Sequence, residues 1–519
     1  MRTIAKRVWL YTLLFLSIPT MTLAQDESRS NSLFQAINEG FTWFVDNIIF
    51  GILFWDAGTG YLFKTLFGVE IGIPLIVLWL IVGGVFFTFR MGFINVRAFK
   101  HSLDVVRGKY DDSEDEGEVS HFQALATALS ATVGLGNIAG VAIAVSLGGP
   151  GAVFWMTVGG FFGMSSKFVE CTLGQKYRVV KPDGTISGGP MRYLSEGLRR
   201  LKYGAFGRVL AIAFSIFCIM GALGGANMFQ ANQSYGAVSR VFPFVPSWLY
   251  GLILATLVGL VIVGGVRRIG QVAGTIVPLM CALYVVASLF ILLTNFTEIP
   301  GAFGVIISQA FRPEAIEGGI LGVLIQGFRR SAFSNEAGLG SAAIAHSAAR
   351  TDEPIREGIV ALLEPFIDTI VVCNMTALVI VITGAYNNPA YEELRNTGAG
   401  AELTAAAFGT SISWFPIILA IAVFFFAFST MISWSYYGER CWDYLTGGRG
   451  TIIFKIIFLL AAFLGAIVAP GPVIGFSDGM ILGMAFPNLL GMYFLCPQVA
   501  RELKDYMRRL KSGEMEVFQ

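Results

Sequence analysis

Charge is scarce in this chain. Of its 519 residues only 14% are Asp, Glu, Lys or Arg, against 55% hydrophobic, whereas soluble domains carry about a quarter charged residues. Water is therefore not its main solvent. The formal net charge of +1 leaves no basic surplus to hold a nucleic acid. Histidine is scarcer still: His101, His121 and His346 are the only three, too scattered to argue for a metal centre. The six cysteines, at 171, 218, 281, 373, 441 and 496, lie apart without paired spacing, so neither a disulfide framework nor a metal site is suggested. No nucleophile elbow or metal-ligand spacing accompanies His121 and His346, which leaves an intramembrane enzyme without its machinery. No cofactor and no obligate protein partner are evident.

What the chain has instead is long apolar runs and 61 glycines. Crossing roughly 30 Å of hydrocarbon takes about 18 apolar residues or more. Such windows fall near 71–90, 121–147, 150–172, 208–235, 247–266, 270–293, 318–348, 358–384, 411–436, 451–470 and 473–496. The expected fold class is thus an all-α polytopic protein of about eleven transmembrane helices, in contact with membrane lipid. Ahead of them, Arg2, Lys6 and Arg7 precede an apolar stretch from Val8 to Ile18 and then Thr22-Leu23-Ala24. That is the pattern of a signal peptide over 1–24, with an uncleaved anchor helix as the alternative.

Basic loops stay in the cytoplasm. Twenty-six of the 36 Lys and Arg fall in alternate connections at 90–109, 167–208, 267–268, 350–356, 440–455 and 501–511. Five fall in the opposite set: Arg29, Lys64, Arg240, Arg312 and Arg395. This puts the chain in a bacterial inner membrane with the mature N-terminus periplasmic and residues 497–519 as a cytoplasmic tail. Residues 25–70 form a periplasmic amphipathic segment, and 398–408 are a second amphipathic stretch, expected on the outer surface or folded over the pathway. The acidic run Asp111 to Glu118 reads as a solvated loop.

Two windows echo each other. Residues 130–151 contain Gly134-Leu135-Gly136 and residues 330–350 contain Gly338-Leu339-Gly340. Glycine costs a helix interior roughly 1 kcal/mol relative to alanine, and freed backbone groups in hydrocarbon cost several more. A break survives only where those groups find partners, as in carriers whose interrupted helices bind substrate and ions. Close helix crossing is the plainer reading, but Asn137, Ser334, Asn335 and Glu336 are costly company inside a membrane. Five windows in 121–293 and five in 318–496 make a 5+5 inverted repeat with 71–90 as a leading helix.

The segments TVGLGNIAGVAIAV (132–145), GGPGAVFWM (148–156), GMSSKFVECTLGQKYR (163–178), SGGPMRY (187–193), FSNEAGLGSA (333–342) and FIDTIVVCNMTALVI (366–380) together resemble the alanine or glycine:cation symporter family, also called sodium:alanine symporters. The resemblance covers roughly residues 70–500. It departs at Arg330-Ser331, where the family pattern has Arg-Gly. It implies a leucine-transporter-type fold and uptake of a small neutral amino acid, alanine or glycine, with sodium or a proton. A passive channel is the rival function, since broken helices also line pores.

Within that resemblance, backbone groups at Thr132, Gly134, Leu135 and Gly136 serve the substrate zwitterion, with Gln230, Phe333 and Ser334 around it. Phe333 could equally be plain packing. One sodium site joins Ser130 and Val133 to Ser429 and Thr430. A weaker second site uses Thr132, Asn137, Ser334 and Asn374. Hard cations take oxygen ligands, although hydroxyls such as Ser429 and Thr430 commonly bond back to their own helix. Glu364 and Asp368 lie one helical turn apart, and Arg329 or Arg330 is their expected partner in a gate or a structural ion pair.

Overall fold

A computed structural model describes residue 35 and residues 38–56, 59–61, 65, 72–112, 114–181, 185–312, 319–411 and 414–518. The expected signal segment 1–24 lies outside the described residues. The described chain is almost wholly helical, apart from a two-stranded ribbon pairing Val179–Val180 with Ile186–Ser187. Its main helices are α1 (Leu75–Arg90), α2 (His121–Thr132), α3 (Val141–Gly148), α4 (Gly151–Lys176), α5 (Gly204–Leu223), α6 (Phe229–Val241), α7 (Ser247–Ile262) and α8 (Gly265–Thr294). Further along come α9 (Gly319–Asn335), α10 (Ala342–His346), α11 (Pro354–Ala361), α12 (Asn374–Ile382), α13 (Gly400–Ser411), α14 (Phe415–Thr446), α15 (Thr451–Ile467), α16 (Pro470–Gly483) and α17 (Ala485–Ser512).

Among the described residues, five helical stretches are long and apolar enough to cross a membrane: Gly204–Val241, Arg268–Thr294, Pro354–Ile382, Phe415–Thr446 and Pro470–Ser512. The pair α2 and α3 makes a sixth, bent by 54°. Shorter apolar helices are α1, α7 and α15. Such lengths are what a hydrocarbon layer demands of a backbone that must satisfy its own hydrogen bonds. Helix α8 carries the lipid signature most openly, with Leu279, Val286, Phe290 and Leu293 exposed at helical spacing.

The two interrupted stretches sit at the centre. Every residue from 131 to 145 and from 330 to 347 is buried. Helix α4 packs on α9, α11 and α1, while α14 packs on α2, α5 and α8. Glycine permits the closest of these approaches: a Cβ on Gly400 would lie 2.3 Å from the Ala139 carbonyl oxygen, and one on Gly327 2.5 Å from that of Ala152. Of the two placements expected for 398–408, helix α13 takes the inward one rather than the surface. Leu403 to Phe408 are buried and Thr404 donates to the Ile138 carbonyl at 3.0 Å. Its small residues let it fold down onto the first interrupted helix. The described segment ahead of α1 packs on α16, where Phe41 meets Phe476 edge to face at 5.4 Å.

Candidate functional site

The first break begins where α2 ends. Ser120 and Gln123 form a reciprocal capping box at the start of α2, and the helix stops at Thr132 because Val133 leaves helical geometry (ψ 85). The chain resumes as a wide π-helical turn, Gly136–Gly140. Freed backbone groups find side chains, as burial requires. The Gly134 amide donates to Asn137 Oδ1 at 3.0 Å and the Leu135 amide to Gln230 Oε1 at 3.2 Å. Thr376 donates to the Asn137 carbonyl at 2.8 Å. Gln230, expected on the substrate, is thus a clamp on the break itself.

Gly134 and Gly136 are small because neighbours press on them. A Cβ on Gly134 would stand 2.4 Å from Thr430 Oγ1, and one on Gly136 3.2 Å from Ser334 Cα. The last turn of α9, not the second Gly-Leu-Gly, is what meets the first break. There Ser334 donates to Asp368 Oδ2 at 2.8 Å, Asn137 Nδ2 to Asp368 Oδ1 at 2.5 Å, and Thr369 to Asp368 Oδ2 at 2.7 Å. Asp368, fully buried on a π-helical turn (Phe366–Cys373), therefore ties both interrupted helices through one carboxylate. Phe333 is 5% exposed, packs on Phe229 at 5.0 Å and has the Arg330 guanidinium 5.2 Å from its ring centroid.

The oxygens expected to hold sodium divide. Thr430 donates to the Ser130 carbonyl at 3.5 Å, so those two residues and the Val133-Gly134 backbone converge. Ser433, one turn beyond Thr430 and absent from the expected set, bonds Ser130 Oγ at 2.8 Å. The hydroxyl of Ser429 instead turns to its own helix, donating to Phe426 O at 3.0 Å. In the second set Asn137 and Ser334 come together around Asp368. The Thr132 hydroxyl, not the carbonyl expected as a ligand, donates to Ala128 within its helix at 3.2 Å, and Asn374 bonds Thr157 and the Thr369 and Ile370 carbonyls.

The expected partnership of Glu364 and Asp368 with Arg329 or Arg330 is not what the structure has. Both arginines pair with Asp478 of α16, Arg329 at 2.6 Å and Arg330 in direct contact. Glu364 pairs with Lys167 at 3.0 Å and His346 at 3.5 Å. The reason is antiparallel packing. Arg330 precedes Ser334 by a turn and Glu364 precedes Asp368 by a turn, so these two end up on opposite sides of the Ser334–Asp368 contact, each turn being about 5.4 Å. Asp478 was legible as a charge in an apolar window. Lys167 was hidden, because it reads as a loop charge when it lies fully buried within α4.

The second Gly-Leu-Gly lies lower, among other partners. Glu336 (φ 57), Gly338 (φ 82) and Gly340 (φ 91) take left-handed backbone conformations. The Gly340 amide donates to Glu170 Oε2 at 3.0 Å, and Asn488 donates to the Gly338 carbonyl at 2.9 Å. Glu336 is held by Ser341 at 2.5 Å and Trp434 at 2.9 Å.

An all-helical apolar chain with a buried, polar-lined break at its centre has the build of a membrane carrier. The sodium:alanine symporter family model matches residues 61–519. The chain is 44% identical over 434 residues to the sodium/alanine symporter AgcS of Methanococcus maripaludis, covering 83% of this chain and 94% of that protein. It is 36% identical over 448 residues to the probable sodium/glutamine symporter GlnT of Bacillus subtilis (86% and 90%). It is 34% identical over 461 residues to the amino-acid carrier protein AlsT of the same organism (88% and 92%). The chain belongs to the sodium:alanine symporter family, whose members are transporters and not enzymes.

Proposed function

We propose that this protein imports a small neutral amino acid, alanine or glycine, together with sodium, by alternating access across the bacterial inner membrane. The observation that carries the reading is the meeting of the first break with α9, α14 and Asp368. There, oxygens of Ser130, Thr430, Asn137, Ser334 and Asp368 converge on backbone freed from helical bonding. Oxygen-rich, water-poor sites of this kind suit a hard monovalent cation. The printed names of AgcS and GlnT support sodium as the coupling ion and an amino acid as cargo.

In this reading Ser130, Val133 and Thr430 hold one sodium ion, with Ser433 in the place expected of Ser429. Asp368 replaces Asn374 in the second site, beside Asn137, Ser334 and the Thr132 carbonyl. The substrate lies against Gly134 to Gly136 and Ser334, with Phe333 as its outer wall. Arg329, Arg330 and Asp478 close the outer side above Phe333, and the outer segment whose Phe54 ring lies 4.6 Å from the Arg329 guanidinium rests on that closure. Eleven spans in a leading helix plus 5+5 inverted repeat, the leucine-transporter-type fold, a signal segment over 1–24 and a cytoplasmic C-terminus complete the proposal. Its support is that each five-helix half begins with an interrupted helix, α2–α3 and α9–α10.

The test is a competition panel. Labelled alanine uptake by proteoliposomes is measured against unlabelled neutral amino acids, with sodium replaced by choline in a second arm. Saturable uptake abolished by choline and by excess alanine or glycine is expected. Uptake that ignores sodium, or fails to saturate as through a channel, overturns the reading.

A further inference from the structure

Below the second break, the inner ends of both interrupted helices meet on one carboxylate. Glu357, in α11, is fully buried. It accepts from His346 Nδ1, the last residue of α10, at 2.5 Å, and contacts Nδ1 of His121, the first residue of α2. Each ring then turns its other nitrogen to a second carboxylate: His346 Nε2 lies 3.5 Å from Glu364 Oε2, and His121 Nε2 lies 3.8 Å from Asp111 Oδ1. A neutral imidazole donates from one nitrogen only, whereas the imidazolium donates from both. His346, at ion-pair distance from both Glu357 and Glu364, is therefore placed for the protonated form, while His121 shares Glu357 with it.

The surroundings point the same way. The buried groups here are Glu170, Glu336, Glu357 and Glu364 against Lys167, His121 and His346. Glu357, which takes both rings, and Glu364, which faces His346 and Lys167, are the carboxylates that would compensate a positive charge on His346 in a low-dielectric interior. Other ionisable groups near Glu357 are Cys171 on α4 and Arg178, which bonds the Ala349 carbonyl at 2.6 Å. Those on packed elements are His101 and Asp104 on Phe99–Val106, Arg356 on α11 itself, and Tyr506 and Arg509 on α17. Asp111 is 38% exposed, which gives the row an outlet to water.

We propose that Glu357 with His346 is a proton-binding site which, with His121 on the same carboxylate, locks the inner ends of the two interrupted helices together, and that the carrier releases a proton there as this end opens. The site rests on the carrier reading only for what the opening serves. Alternating access requires these helix ends to part, and parting them exposes both rings to water, where a histidine is neutral above about pH 6.5. The closed form thus holds more protons than the open form. Closure is favoured in acid and is lost as the pH on this side rises.

Two measurements test this on the full-length protein in lipid nanodiscs, and neither uses alanine or sodium. With only three histidines in the chain, ¹⁵N-histidine labelling resolves each ring, and His121→Asn and His346→Asn assign the signals. His346 is expected to be doubly protonated at about pH 8, where a solvated histidine is neutral, and Glu357→Gln is expected to return it to the neutral form. Spin labels on Phe122→Cys and Lys504→Cys are expected to give one distance at about pH 6 and a second, longer one growing toward about pH 9. With Glu357→Gln, or with His121→Asn should that variant fold poorly, the longer distance is expected at every pH. A neutral His346 ring at about pH 8, or a distance distribution indifferent to pH or to both variants, overturns the proposal. Failure of alanine uptake would overturn the proposed function and leave these readings standing.

Discussion

Gly134→Ala is the sharpest probe of the first break. Gly134 does not take a left-handed backbone conformation, so alanine is allowed there and the effect is steric. The added Cβ would sit 2.4 Å from Thr430 Oγ1 and 3.4 Å from Gln230 Oε1. The first separation is about 1 Å short of an ordinary contact, so α14 and the break must move apart or Thr430 must rotate. Overpacking of this kind costs about 1–3 kcal/mol. Thr430→Ala removes the opposing hydroxyl, so the double variant should recover about 1–2 kcal/mol of that loss in a double-mutant cycle. Recovery should be confined to thermal unfolding in detergent. Sodium dependence of alanine uptake should stay weak in the double variant, because the oxygen facing Ser130 is gone. A Gly134→Ala protein as stable as the parent, or one whose loss Thr430→Ala fails to relieve, would refute the contact on which the ion site is built.

Other outcomes follow from named contacts. Asp368→Asn places an amide where three donors converge, and charge-assisted bonds of about 1.5–3 kcal/mol each predict that half-saturating sodium rises about tenfold or more; an unchanged value would remove Asp368 from the site. Arg330→Met leaves Asp478 buried with half its pairing, which should destabilise by about 3–5 kcal/mol. Adding Asp478→Asn should restore part of this, and additive losses would contradict the pairing. Outside the membrane, His101 bonds the Tyr506 hydroxyl at 2.8 Å and burial pushes its pKa down to about 4. The unfolded chain therefore binds the proton first, so stability should fall as pH drops from about 6.5 toward 4, and His101→Gln should flatten that slope in thermal scans.

The breaks were legible in the sequence because glycine pairs beside Asn137 and Ser334 make no sense in an uninterrupted apolar helix. Their partners were less so. Gly134 to Gly136 and Gly338 to Gly340 look equivalent as tripeptides, yet one meets Thr430 and Ser334 and the other meets Glu170 and Asn488. Which helices they touch is set by packing over hundreds of positions. The pairing of Arg330 with Asp478 was out of reach for the same reason: charge complementarity offered Glu364, Asp368 and Asp478 among the buried acids, and antiparallel height chose among them. Ser429 and Ser433 lie one turn apart on the same side of α14, so spacing alone does not say which of them reaches Ser130. The stretch 398–408 was legible as amphipathic, but nothing local chose between the outer surface and folding over the pathway, because the contact of Gly400 with Ala139 is set by packing.

Coupling itself is tested by measuring labelled sodium and labelled alanine in the same proteoliposomes under an inward sodium gradient. We expect alanine to accumulate above its external concentration, sodium influx to rise with added alanine, and both fluxes to fall together with Asn137→Ala and Thr430→Ala but much less with Asn227→Ala, whose amide bonds the Phe458 carbonyl at 2.5 Å away from the break. Alanine that merely equilibrates, or sodium influx indifferent to alanine, would contradict sodium-coupled transport at the first break.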